Sequence, residues 1–453
     1  MSSPTATERE GAFGNKAVWR IAAPMILAGS TTPLLGLVDT AVVGHLEQAW
    51  YMGAVAAGAT IFTVLFMGLN FLRMGTTGVT AQAFGAADGD AVRESLGQGL
   101  LTALILAVVM VAAQPLIIEV SLRAFAPGAE VAALTREYFA VRIWSAPASL
   151  TNFVVVGWLL GMQNARGPLA LMLATNVTNI ALDLLFVLVL GMRVRGVAFA
   201  TVLAELVGLA VGLWFVRREL AAFPGAWPRG ALLDPARYRR LFDISGNLLL
   251  RTLSLMFVIA FITAQGARMG DLVLAANALL MNLQHLLSYA LDGIAHAAEA
   301  LTGKAVGARD AVGLREAVRR TLRWSVAFAA AFAFAYAAGG HALIDLLTGI
   351  PEVRATARTF LPWLVISPLV SVWCYLYDGV FVGATRSREM RIVMLAAALL
   401  VFMPVWYAAR GLGNHGLWLA FMLFMAARGL GMHYGYRRLL EHENGGESVF
   451  LRK

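Results

Sequence analysis

Apolar residues occur in long runs along this chain, and short polar segments separate one run from the next. A membrane-spanning helix needs about 20 predominantly apolar residues, and twelve runs meet that requirement. They lie at roughly 17–45, 51–83, 94–118, 132–161, 168–191, 196–217, 241–266, 272–301, 321–345, 357–383, 391–410 and 415–436. No long stretch alternates with a period of two, which argues against a β-barrel. The pattern therefore predicts an all-α polytopic membrane protein with twelve transmembrane helices.

Composition supports the same class. Of 453 residues, 59% are apolar and 14% charged, whereas soluble domains have about 45–50% and about 25%. The net charge of +9 comes without a basic patch interleaved with aromatics, so we expect no nucleic-acid partner. Most Lys and Arg residues fall in loops on one side, which predicts that both termini are cytoplasmic. Cys374 is the single cysteine, which excludes a disulfide framework.

An internal repeat organises the chain. A shift of 222 residues superposes Gly44 on Gly266, Gly85 on Gly307, Asp88 on Asp310, Arg93 on Arg315, Glu94 on Glu316 and Gly161 on Gly383. Each repeat holds six spans, so both enter the membrane in the same sense, as in transporters that hold substrate between two lobes. The predicted organisation is a tail at 1–16, an N-terminal lobe at 17–217, a linker at 218–240, a C-terminal lobe at 241–436 and a tail at 437–453.

The first lobe carries acids and amides inside its spans. Asp39 lies on the first helix together with Pro24 and Pro33, and prolines weaken a helix by removing backbone hydrogen bonds. The fifth helix carries Asn176, Asn179 and Asp183 at i, i+3 and i+7, which places them on one face, and the sixth carries Thr201. Ionisable residues in a membrane are functional hypotheses by default. We expect these groups to form a hydrated pocket that exchanges a proton.

The second lobe carries its own acids, which are Asp292, Asp378 and Glu299. Their role stays open between substrate attraction and structure. Arg251 lies at a depth where it could neutralise Asp292 or Asp378, and Lys304 is five residues from Glu299. In the first lobe, Arg142 could likewise form a static ion pair with Asp183 or Asp39.

Several searches of the sequence find nothing. The chain has no Gly-rich phosphate loop with a following Lys, no HExxH motif and no Cys/His cluster. We therefore expect neither ATP-driven transport by this chain nor an enzyme, and no cofactor beyond a coupling ion.

The motifs resemble those of the multidrug and toxic compound extrusion (MATE) family, and most closely its DNA-damage-inducible branch. The resemblance rests on Val-Asp39-Thr-Ala-Val-Val-Gly-His-Leu, Asn179-x-x-x-Asp183, Thr201 and the run Leu291-Asp-Gly-Ile-Ala-His-Ala-Ala-Glu-Ala-Leu-Thr-Gly303. It implies a two-lobe antiporter exporting amphipathic, often cationic compounds in exchange for protons or sodium. It also implies that Asp39 is the coupling residue and that Pro24 lets the first helix bend. A sodium site from Asp39, Asn179, Asp183 and Thr201 is conceivable, since these oxygens suit hard cations.

We thus expect a monomeric antiporter of small amphipathic molecules in the bilayer of the cytoplasmic membrane. Two alternatives stay open. One is a flippase of lipids or lipid-linked saccharides from the same superfamily. The other, from a different class, is a passive channel or a receptor.

Overall fold

The computed structural model describes residues 6–44, 48–227, 230 and 234–444, and every regular element among these residues is helical. The first helices are α1 (Ala6–Phe13), α2 (Asn15–Gly44), α3 (Ala49–Leu69), α4 (Phe71–Gly85), α5 (Gly89–Ala112), α6 (Gln114–Phe125), α7 (Ala129–Arg142), α8 (Ala146–Gly161), α9 (Arg166–Asp183) and α10 (Arg193–Ala222). The later ones are α11 (Pro235–Arg268), α12 (Asp271–Gly307), α13 (Ala311–Leu347), α14 (Pro351–Gly383), α15 (Ser387–Ala396), α16 (Met403–Ala409) and α17 (Asn414–Asn444). Short 3-10 or π-helical segments continue them at Ile143–Ser145, Leu184–Val189, Ala397–Phe402 and Arg410–Leu412.

Within the described residues, eleven helical stretches are long and apolar enough to cross a membrane. The remaining span is α2, which has 30 residues and is therefore about 45 Å long. The predicted fold class is confirmed. Some helices extend beyond their predicted ends: α13, expected at 321–345, begins at Ala311. An apolar window finds only the part of a helix that lies in hydrocarbon, and polar residues continue the helix beyond it.

The chain divides into two compact units. The first unit comprises residues 27–241, and the second unit comprises residues 1–26 and 242–453. The boundary lies inside α2, so residues 17–26, expected in the N-terminal lobe, cluster with the second unit. Their contacts explain this grouping: the Trp19 ring packs 4.9 Å from that of Trp324, and Ile26 packs closely against Gly293 of α12.

The internal repeat is visible in the backbone. In the first unit, Gly157 of α8 packs against the carbonyl oxygen of Arg73 on α4, leaving no room for a Cβ. In the second unit, Gly379 of α14 packs in the same way against Ala295 on α12. Both residues of this joint are displaced by the same 222 positions. Backbone positions with positive φ also recur at this offset, as Ala87 and Arg309, Gln163 and Thr385, and Gly191 and Gly413.

Candidate functional site

Two closely packed helices of the first unit, α9 and α10, carry most of the predicted site. A Cβ on Gly208 would overlap the Thr175 hydroxyl, and one on Gly212 would lie 2.6 Å from the side chain of Leu171. Because α10 presents glycine at both positions, its backbone approaches α9 closely. Polar side chains on the two helices can therefore meet directly.

The side chains of Asn179, Asp183 and Thr201 meet at this contact. Asp183 is fully buried and Asn179 is 3% exposed. With its nitrogen toward Asp183, the Asn179 amide donates to Asp183 Oδ2 at 3.2 Å, and its oxygen accepts from the Thr201 backbone N–H at 3.3 Å. With the amide turned over, Asn179 Nδ2 lies 3.4 Å from Thr201 Oγ1. In both orientations the amide bridges the fifth and sixth spans beside a buried carboxyl group.

Asn176 connects the same face of α9 to the first span. Its Nδ2 donates to Thr31 Oγ1 of α2 at 2.7 Å, and the Thr31 hydroxyl in turn donates to the Ala28 carbonyl oxygen at 2.7 Å. Thr31 lies eight residues before Asp39, which is about 12 Å along a helix. Asn179, Asp183 and Thr201 thus meet one another, whereas Asn176 lies on the same helix and binds the first span.

Asp39 and Pro24 both lie on α2, which is helical without interruption from Asn15 to Gly44. The side chain of Asp39 lies outside the described residues, so its role stays a prediction. Pro24 is partly buried and lies two residues before the boundary between the units.

A second polar group of the first unit includes Glu205, one helical turn beyond Thr201 on α10. Asn152 of α8 donates to Glu205 Oε2 at 2.8 Å and to its backbone oxygen at 3.1 Å. Arg142, which could have paired with Asp183 or Asp39, places its guanidinium 4.7 Å from the centre of the Phe62 ring and acts electrostatically on Glu205. The sequence did not identify Asn152, because one amide in an apolar helix carries no spacing signal.

The acid Asp378 of the second unit lies between two guanidinium groups. Arg251 of α11 donates to Asp378 Oδ2, and Arg428 of α17 donates to the same oxygen at 2.8 Å. The side chain of Arg428 is only 4% exposed. Arg251 was a candidate partner from the sequence, whereas Arg428 was missed. The sequence signal that could have identified it is its position, since Arg428 is the single arginine in the apolar run of the last span.

The other two acids of the second unit lie on α12. Glu299 is buried and its carboxylate lies 3.4 Å from His296 Nδ1, a neighbour one turn away. Lys304, the expected partner, lies 5.5 Å from the centre of the Phe13 ring. Asp292 is partly buried and acts electrostatically on Tyr375.

The two units thus surround their acids with different chemistry. In the first unit, Asp183 and Glu205 contact amides, and carboxylate and amide oxygens suit hard cations. In the second unit, Asp378 accepts hydrogen bonds from two permanently charged groups, the guanidinium groups of Arg251 and Arg428. The described residues contain no group of three or more His, Cys, Asp or Glu side chains that could hold a metal ion.

Comparison with known proteins identifies the family of the chain. The family model MatE matches residues 24–185 and 244–408, one match in each half of the chain. "DNA damage-inducible protein F" of Escherichia coli is 44% identical over 94% of this chain and 92% of its own length. "Probable multidrug resistance protein NorM" of Rhizobium meliloti is 25% identical over 92% of both chains. A Vibrio cholerae MATE transporter solved in the bent form has a TM-score of 0.86 at 22% identity, covering 97% of this chain and 99% of its own.

Proposed function

The chain belongs to the MatE family of multidrug and toxic compound extrusion transporters, and on that premise we propose that it exports amphipathic, often cationic compounds in exchange for protons. It is a multi-pass membrane transporter and not an enzyme. The proposal places it in the cytoplasmic membrane with both termini inside, since Lys and Arg concentrate on one side of the predicted topology. We propose that it works as a monomer.

The observation that carries the proposal is the buried Asp183 beside the Asn179 amide. Asn179 links this carboxyl group to Thr201 of α10, and Asn176, one turn back on α9, binds Thr31 of α2. A change in charge at Asp183 alters the hydrogen bonds of Asn179. The same helix face transmits that change toward the first span, on which Asp39 lies.

The coupling step is the uptake of one cation by this group. A proton that binds to Asp183 or Asp39 removes a charge, and the amides then exchange donor and acceptor roles. The first span can respond by bending because Pro24 and Pro33 remove two of its backbone hydrogen bonds. The driving force suffices, since one charge crossing 100 mV corresponds to about 2.3 kcal/mol.

Everted membrane vesicles test the proposal. Acidifying the lumen should drive uptake of a fluorescent cationic dye in the wild type. Asp183→Asn and Asp39→Asn should both lose this uptake, because an amide cannot take up the proton. Asp292→Asn serves as the comparison and should keep at least partial activity.

The outcomes separate the alternatives. Uptake driven by a sodium gradient but not by a pH gradient would make sodium the coupling ion at the same oxygens. Net dye entry that persists in sodium-free medium after an uncoupler has collapsed the proton gradient would indicate a passive channel. Full transport by both Asp183→Asn and Asp39→Asn would contradict the assigned site.

A further inference from the structure

A line of polar residues follows one face of the continuous helical segment Ala129–Gly161 in the first unit. Arg142, Ser145, Ser149 and Asn152 are spaced by three, four and three residues, which places them on one face of the helix. The side chains of Ser145, Ser149 and Asn152 are all more than nine-tenths buried. We call these four residues the polar stripe. It leads along α7 and α8 to the carboxylate of Glu205 on α10.

Buried polar atoms of the stripe lack protein partners. Arg142 Nε, Ser145 Oγ and Asn152 Oδ1 are buried and make no hydrogen bond within the protein. Folded proteins satisfy nearly all such atoms, and those that protein groups do not reach are usually bound by buried water. Three unsatisfied atoms along one line therefore indicate a row of water sites ending at Glu205.

The repeat supplies an internal control for this interpretation. The positions equivalent to Ser145 and Ser149 are Ser367 and Ser371, and both are satisfied by protein groups. Ser367 Oγ donates to Gln284 Oε1 at 2.5 Å, and Ser371 Oγ donates to the Ser367 carbonyl oxygen at 2.6 Å. The two serines thus belong to the shared architecture of the repeats. At these two positions the hydroxyl without a protein partner is found at Ser145 of the first unit, although Gln284 Nε2, beside Ser367, also lacks one.

Arg142 and Asn152 of the polar stripe, and Glu205 beside it, are also specific to the first unit. The positions equivalent to Arg142, Asn152 and Glu205 are Leu364, Cys374 and Ala427. The second unit therefore keeps the serines of the stripe and lacks both its charges and its amide. A row of polar residues that served only packing would not need a carboxylate at one end and a guanidinium at the other in only one repeat.

Few charges surround Glu205. Among the helices packed against α10, the described parts of α3, α8 and both short segments at 143–145 and 184–189 carry no charged residue. Helix α9 contributes Asp183 and Arg166, and α7 contributes Arg142, Glu130, Arg136 and Glu137. Of the last three, Glu137 pairs with Arg195, and Arg136 pairs with Glu119 at 3.0 Å, both at exposed positions. Among the described residues, no arginine or lysine lies within ion-pair distance of Glu205.

Glu205 also adjoins the site described above. It follows Thr201 by four residues on α10, about 6 Å along the axis, and Thr201 contacts Asn179. Glu205 thus lies one helical turn from the residue that contacts the Asn179 amide, beside Asp183.

We propose that Glu205 is a second proton-binding carboxylate of the first unit, supplied through water held by the polar stripe; this inference rests on the proposed function. A hydronium ion in the stripe gives its proton to a Glu205 carboxylate oxygen and becomes water. The resulting carboxylic acid keeps its hydrogen bond from Asn152 through the carbonyl oxygen. It releases the proton to water when the transporter returns to its other state.

The test compares Glu205→Gln with Glu219→Gln. Glu219 lies on the same helix and accepts a hydrogen bond from Asn164 Nδ2 at 2.7 Å, which makes it a matched control at the other end of α10. Two rates are measured in everted vesicles: dye uptake driven by a pH gradient, and exchange of dye across the membrane with no gradient. Exchange needs substrate binding and the conformational change, but no net movement of protons.

Glu205→Gln should lower the driven uptake about tenfold or more, as when a positioned proton-transfer group is lost, and should leave exchange unchanged. When the rate of driven uptake is plotted against pH, Glu205→Gln should lack one of the titration steps that the wild type shows. Glu205→Asp should restore part of the lost uptake rate. Glu219→Gln should match the wild type in both rates. Ser145→Val fills a water site without removing an acid, so it should slow driven uptake and leave exchange unchanged. This variant tests the inference if Glu205→Gln does not insert into the membrane.

Three results would overturn the inference: driven uptake by Glu205→Gln equal to that of the wild type, equal loss of uptake and exchange, or an unchanged pH profile. Equal loss would make Glu205 a substrate anchor or a structural group. If wild-type vesicles themselves show no driven uptake, the proposed function fails instead, and exchange by the wild type distinguishes that result from inactive protein.

Discussion

Asp183 of the first unit and Asp378 of the second unit are both acids inside a transmembrane helix, yet they have opposite surroundings. Asp183 is fully buried beside the Asn179 amide. Asp378 receives hydrogen bonds from Arg251 and Arg428. The repeat positions are complementary: Val405 is equivalent to Asp183, and Val156 is equivalent to Asp378. Each unit therefore carries an acid at a position where the other unit has valine.

The difference teaches which acid can change its charge. A carboxylate beside neutral amides becomes uncharged on protonation without leaving an unpaired partner. A carboxylate between two guanidinium groups cannot do so cheaply, since arginine does not lose its proton in proteins. This difference is why the proposal assigns coupling to the acid of the first unit. In the second unit, Asp378 is suited to holding α11, α14 and α17 together.

The largest expected effect comes from removing one arginine of the second unit. Arg428→Met leaves the partly buried Asp378 with one guanidinium partner, and breaking a buried ion pair costs about 3–5 kcal/mol, which is the upper bound for this pair. Met is chosen because the Arg428 side chain already packs among Met425 and Phe424. Unfolding of the purified protein in detergent, followed by temperature or denaturant, measures the loss.

Arg358→Met is the matched control for that experiment. Arg358 also binds an aspartate, Asp345, with distances of 2.6 and 2.8 Å to its two oxygens. Both side chains are exposed, and exposed pairs contribute about 0–1 kcal/mol. Equal stability losses from the two variants would contradict the assignment of Asp378 and Arg428 as a structural ion pair.

Much of this comparison follows from the sequence alone. The apolar runs predict the helices because a span must satisfy its backbone internally. The i, i+3, i+7 spacing of Asn176, Asn179 and Asp183 predicts their common face because helix geometry fixes it. Both predictions depend only on the composition and the regular period of a single helix, and not on how the helices pack together. The paired glycine joints at Gly157 and Gly379 have the same offset of 222 residues as the landmarks of the repeat.

The partners of the acids were harder to predict. Arg142 and Arg251 occupy similar depths, yet Arg251 reaches an aspartate and Arg142 packs on Phe62. Depth limits the possible partners, but helix rotation and neighbour order decide among them, and a sequence pattern fixes neither. The same applies to Asn152, whose partner Glu205 lies 53 residues away along the chain.

An intermediate effect tests whether the two units share their backbone joint. Gly157→Ala and Gly379→Ala each place a methyl group against a carbonyl oxygen of the neighbouring helix. Overpacking of this kind costs about 1–3 kcal/mol, and the loss should be similar in both units. Unfolding in detergent measures it. Gly339→Ala, whose Cβ meets nothing within 4 Å, should leave stability unchanged or raise it by up to about 1 kcal/mol. A large loss in only one unit would show that the joints differ.

The smallest effect concerns the link between α9 and α2, which the second unit lacks: the positions equivalent to Asn176 and Thr31 are Ala398 and Leu253. A double-mutant cycle of Asn176→Ala and Thr31→Val isolates this hydrogen bond, and its coupling energy should be about 1 kcal/mol. Driven dye uptake should fall a few-fold in either variant and no further in the double variant, because both changes disconnect the same two helices. Additive losses in uptake would mean that Asn176 and Thr31 act separately, and the path from Asp183 to the first span would then have to run through other residues.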